Sequence, residues 1–177
     1  MIFCDRENPP VARIYLTPED AQPTTESLEA IAEADVVILG PGSLFTSVIP
    51  NLVIKGMSEA IAKSSAFKIY VCNVMTQHGE TDHFTASEHV QALINHANKE
   101  IIDACIINNA EVPEEALVKY QEEVSYPVKP DMEKIREMGY RVVATDLLGV
   151  TNYVRHDSEK LTKALINLIE SHRIIRR

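Results

Sequence analysis

The chain has no tryptophan, only three cysteines and six glycines, no long apolar run, and fewer basic than acidic residues. Each shortage closes off a class of protein. Cys4, Cys72 and Cys105 are far apart, odd in number and in no CxxC arrangement, so neither a disulfide framework nor a zinc site is indicated; they read as reduced, mostly buried thiols. No window approaches the roughly 18 uninterrupted apolar residues of a membrane helix, and Asp5, Arg6 and Glu7 stand where a signal peptide would carry its apolar segment. A cytoplasmic protein with no membrane partner is expected. The 17 Lys and Arg against 26 Asp and Glu give a net charge of −9, which argues against a nucleic-acid partner, because such surfaces are built from clustered cations. Arg173, Arg176 and Arg177 form the only basic cluster and read as a solvated tail.

What is present is a core. With 177 residues, 45% of them hydrophobic, the chain suits one α/β domain over residues 1–177. Asp35–Leu39, Phe67–Asn73, Asp103–Asn108 and Arg141–Thr145 are apolar runs of the kind found in strands buried on both faces of a parallel sheet. Val11–Leu16 alternates like a further strand. Between the runs, Thr25–Ala34 is helical, Val90, Leu93, Ile94 and Ala97 recur at helical spacing, and so do Leu161, Ala164, Leu165 and Leu168. Asp157 or Ser158 caps the last helix. Strands alternating with helices predict a three-layer, doubly wound, mostly parallel sheet of Rossmann-like type.

Ligands in such sheets bind beyond the carboxyl ends of the strands. The first of these ends is Gly40-Pro41-Gly42-Ser43-Leu44-Phe45-Thr46-Ser47. Its glycines permit a tight turn and close approach of a ligand, and the helix after it offers unpaired N–H groups. It is neither a Walker A loop nor GxGxxG, and an ordinary strand-to-helix turn capped by serine is the simpler alternative. The second end, Asn73 to His83, is polar; Asn73 and Thr76 suit sugar hydroxyls or phosphate. His78, Glu80, Asp82 and His83 have no fixed ligand geometry, so no metal and no cofactor is expected. His89 and His96 are placed at a helix surface or boundary. Asn108 and Asn109 end the third run and could read a base edge or merely turn the chain. Thr151 to Arg155 precedes the last helix, and Arg155 is a natural partner for a diphosphate. Tyr120 sits among Glu114, Glu115, Glu122 and Glu123, a run best read as a solvated face from which the tyrosine can turn to stack on a ring. No nucleophilic or acid–base constellation emerges from spacing, so binding is better supported than catalysis.

Two stretches, Gly40–Leu52 and Tyr70–Gln77 followed by Gly79-Glu80-Thr81-Asp82, closely resemble the YvcK-type gluconeogenesis factors of the CofD-like superfamily of 2-phospho-L-lactate transferases. The resemblance runs from about Ile14 to Leu168. It implies a Rossmann-like fold, a small-molecule nucleotide-sugar ligand of the UDP-N-acetylglucosamine type, and a regulatory role in carbon metabolism and cell-envelope or cell-shape control. It also implies that Gly40, Pro41, Gly42, Ser43, Thr46 and Ser47 hold the diphosphate, that Asn73 and Thr76 line the pocket, and that Tyr120 and Arg155 match ligand-contacting positions. The alternative is a phospholactyl transferase using a guanosine diphosphate adduct. His78 stands where the family usually has proline. The family's opening GGGTG loop and acidic-glycine motif are absent, so the resemblance implies the C-terminal part of a longer domain, sheet surface left over for a homo-oligomer (dimer), and weak binding by the isolated chain.

Overall fold

A computed structural model describes residues 13–122, 124–150 and 153–175; Cys4, Thr151, Asn152, Glu123, Arg176 and Arg177 lie outside the described residues. Four parallel strands, β1 (Val36–Leu39), β2 (Phe67–Val71), β3 (Ala104–Asn108) and β4 (Arg141–Thr145), pair side by side in that order. The α/β, mostly parallel expectation holds, and all four apolar runs are strands.

Alternation along β2 and β3 divides the core. Tyr70, Cys72, Cys105 and Ile107 face one side, where they pack with Leu44, Phe45 and Ile49 and with α3 (Met57–Lys63), α4 (Ala86–Ala97) and α6 (Met132–Glu137). Phe67, Ile69, Val71, Ala104 and Ile106 face the other side and are covered by Leu161, Ala164 and Leu168 of α7 (Ser158–Ile175). Helices on both faces of the sheet make three layers. Two further helices are α1 (Thr25–Glu33), capped by the Thr24 hydroxyl, and α5 (Glu114–Glu122), whose Glu114, Glu115 and Glu122 are exposed as the acidic run predicts. A two-turn connection, a π-helical turn over Leu44–Val48 running into α2 (Ile49–Leu52), leads away from β1. Among the described residues no helix is long and apolar enough to cross a membrane.

Two expectations need correction. Residues 13–16 form no strand. Ile14 is buried, but its N–H donates to His96 Nε2 at 3.1 Å instead of to a neighbouring strand, so one-sided burial alone produced the alternation. His89 is not at a surface: it is fully buried, edge-on to Phe84, with Nδ1 bonded to the Thr85 carbonyl, and burial lowers its pKa. Of the two caps offered for the last helix, it is Asp157 whose carboxylate accepts from the amides of Glu159 and Lys160, as expected of that residue. Cys72 and Cys105 are buried free thiols as expected; burial pushes the Cys72 thiol up to about 12.

Candidate functional site

The first wall of the site is the turn after β1. Gly40 has φ +83°, and a Cβ there would lie 3.0 Å from the Val71 carbonyl oxygen; a Cβ on Gly42 would come within 3.1 Å of the Ser47 Cβ. Glycine is therefore demanded at Gly40 by the neighbouring backbone as well as by the turn, while at Gly42 a side chain would crowd that of Ser47. Leu44 and Phe45 are buried completely and pin the turn to the core. Ser47 and Val48 donate their amides to the Ser43 carbonyl. Pro41, Gly42 and Ser43 face a cleft, whereas Thr46 and Ser47 are exposed and lie off it.

The second wall is Asn73 to Glu80, which follows β2. Thr76 is buried and its hydroxyl accepts from the Tyr126 amide at 2.9 Å, while its carbonyl accepts from the Ser125 hydroxyl. Together with the bonds from Thr76 to Tyr126 and from Val128 to Val74, this sews the loop to the segment 125–128. Gln77 donates its amide to the Thr81 hydroxyl and accepts from the Ser43 hydroxyl at 2.6 Å, joining the two walls. His78 pairs with Asp82 at 2.8 Å. Burial opposes ionisation of Asp82, but the bonds from His78 and the Gly79 amide outweigh it and hold the carboxyl below its ordinary range. His83 stacks on Tyr126. His78 and Asp82 thus pair with each other and His83 turns to Tyr126, and among the described residues no three potential metal ligands converge.

The third wall is a short antiparallel hairpin, β5 (Leu148–Val150) with β6 (Val154–His156). Three contacts hold it. Lys160 on α7 donates to the Asp146 carboxylate and the Leu148 carbonyl, both at 2.8 Å. Asn108 accepts from the Leu147 amide at 3.0 Å while its NH2 donates to the Ala110 carbonyl. The Tyr120 hydroxyl accepts from the Val154 amide at 2.7 Å and donates back to the Val154 carbonyl at 3.2 Å. Asn108 therefore braces the hairpin from beneath and does not line the cleft, while Tyr120 lines it with its hydroxyl already engaged. Arg155 projects from β6 over the Tyr153 ring, exposed at the cleft. His156 donates Nε2–H to the Cys72 carbonyl at 3.1 Å, which leaves Nδ1 as the ring's acceptor; burial lowers its pKa despite that bond.

The three walls enclose a cleft of about 780 Å³. That volume suits a ligand larger than a free phosphate. Arg155 is the only lysine or arginine among the described lining residues, so the cleft can take an anionic group without being a general anion trap. Gln77, Glu80, Ser125 and His156 also line it, though none stood out from the sequence as a site residue. Gln77 and Glu80 lie inside a loop already singled out; His156 adjoins Arg155, and only the β2–β6 contact brings it to the cleft.

A profile of the family described as 2-phospho-L-lactate transferase CofD matches residues 2–148. The chain belongs to the CofD family. Its relatives carry a consistent name. A Bacillus subtilis gluconeogenesis factor is 41% identical over 161 residues, which cover 90% of this chain and 51% of that protein. A Thermoanaerobacterium thermosulfurigenes protein with the provisional name of gluconeogenesis factor is 47% identical over 166 residues, 93% of this chain and 51% of its own length. Among solved structures, a UPF0052-family protein from Bacillus halodurans superposes with a TM-score of 0.85 at 41% identity, covering 88% of this chain and 50% of the other. The chain thus spans about half the length of the relatives it matches.

Proposed function

We propose that the cleft binds a nucleotide sugar of the UDP-N-acetylglucosamine type, and that the chain serves, in the cytoplasm, a regulatory protein of gluconeogenesis and of cell-envelope or cell-shape control. The observation that carries this reading is the composition of the cleft. One wall brings backbone close to a ligand at Gly42 and Ser43, one arginine stands ready for a diphosphate, and Asn73 and Gln77 supply amides suited to hydroxyls. The name shared by the relatives supports the regulatory part. No Ser–His–Asp or Cys–His relay lines the cleft among the described residues, which favours binding over chemistry.

The second reading, transfer of a phospholactyl group from a guanosine diphosphate adduct, is favoured by the activity for which the matching family is described. Calorimetry separates the two. Titrated to millimolar ligand, where even weak binding registers, the protein is expected to take UDP-N-acetylglucosamine in preference to guanosine diphosphate. Arg155→Ala is expected to weaken the interaction about tenfold or more, as loss of a charge-assisted contact does. Guanosine diphosphate bound equally well or better would transfer support to the second reading.

A further inference from the structure

Two residues that line the cleft, Asn73 and Glu80, each hold a buried side-chain oxygen, Oδ1 and Oε2, without a hydrogen-bond partner. Buried acceptors left unpaired are rare in folded proteins, and each asks for a donor. The two are held in place independently. Asn73 follows β2, whose residues are all buried. Glu80 sits in a turn locked by its own amide bond to the Gln77 carbonyl at 3.1 Å, by Thr81 to the same carbonyl at 2.9 Å, and by Gly79 to Asp82 at 2.7 Å.

A diphosphate cannot answer these oxygens, because at neutral pH it offers acceptors almost exclusively. Hydroxyls and amide N–H groups can. We propose that Asn73 and Glu80 form a donor-reading subsite that takes the N-acetylglucosamine, the hydroxyl- and amide-bearing group that UDP lacks, with Glu80 determining specificity there, while Ser43 and Arg155 face the anionic part. The inference rests on the nucleotide-sugar reading and adds to it a division of the cleft. Partial burial raises the pKa of the Glu80 carboxyl, as removal from water does.

The test compares UDP-N-acetylglucosamine with UDP, which lacks the N-acetylglucosamine, by calorimetry on the wild-type protein and on Glu80→Ala, Glu80→Gln and Asn73→Ala. The wild type is expected to bind the nucleotide sugar more tightly than UDP. Glu80→Ala and Asn73→Ala are each expected to weaken the nucleotide sugar about tenfold and to change UDP by less than about twofold, the size of effect that one lost hydrogen bond produces. Glu80→Gln, which keeps an acceptor and a donor, is expected to retain most of the affinity. Equal binding of both ligands by the wild type, a comparison that needs no variant to fold, overturns the subsite and leaves nucleotide binding intact. So does an equal loss of both ligands in the alanine variants. Failure of the wild type to bind either ligand removes the nucleotide-sugar reading and the subsite with it.

Discussion

Tyr120 holds both the N–H and the carbonyl of Val154 through one hydroxyl, across 34 residues of sequence. The adjacent residue on that strand is Arg155, so the tyrosine acts on the cleft by setting the position of the arginine as well as by walling it. Tyr120→Phe keeps the ring and removes both bonds. It is expected to cost about 1–2 kcal/mol of stability, to speed hydrogen exchange at the Val154 amide, and to weaken the nucleotide sugar; unchanged affinity with faster exchange would separate the hydroxyl from the site. Glu80 makes a complementary prediction. Its folded-state pKa lies above the ordinary carboxylate value because of burial. The native state therefore holds that proton more tightly than the unfolded chain, and the stability so gained is present in acid and lost as pH rises through the folded value. Glu80→Gln is accordingly expected to unfold at a higher temperature than the wild type at neutral pH, with the gap closing as the pH falls below the ordinary carboxylate range. Thermal melts across that range measure it. Neither role was legible in the sequence: Tyr120 shows only as one aromatic residue in an acidic helix, and whether a glutamate lacks a partner depends on what the fold brings near it.

At the scale of elements, α4 is the best secured. Thr85 and Glu88 form a reciprocal capping box, the Ala86 amide bonds to the Lys129 carbonyl, and the Ser87 amide and hydroxyl both donate to Asp131. The first-turn donors of this helix are thus met from two directions. Thr85→Ala is expected to cost about 1 kcal/mol, measured by denaturant unfolding; a neutral result would mean that the Asp131 and Lys129 contacts suffice. The strands β1 to β4 and the helices α1, α4 and α7 were legible because their signals are local: continuous apolar runs for strands covered on both faces, and i, i+3, i+4 spacing for helices. The β5–β6 hairpin was not legible. Each strand has three residues, too few for a period to show, and the pairing is fixed by Tyr120, Asn108 and Lys160 from elsewhere in the chain. Conversely Val11–Leu16 carried a strand's alternation, yet among the described residues it has no strand to pair with.

At the scale of the molecule, three of the four strand-end loops named from topology converge on one cleft and the fourth supports it. What the sequence could not supply was the division of labour among them: Gly40 and Gly42 shape the wall, Ser43 and Gln77 join two walls, and Thr46 and Ser47 stand aside. β1 is an edge of the described sheet, and its Ile38 is 44% exposed on the face that α7 covers elsewhere. That is an unusual position for a parallel strand, whose faces are normally both covered, and it goes with a chain that spans about half of its relatives. The cleft is the part of the fold on which the proposed function depends. Its most direct test is an amide chemical-shift titration of the isotope-labelled protein with UDP-N-acetylglucosamine. The account predicts saturable shifts concentrated at Gly42 and Ser43, at Asn73 to Glu80, and at Val154 to His156. Shifts that fail to saturate, or that gather instead in the groove bordered by Arg13, Lys55 and Lys99, would contradict it.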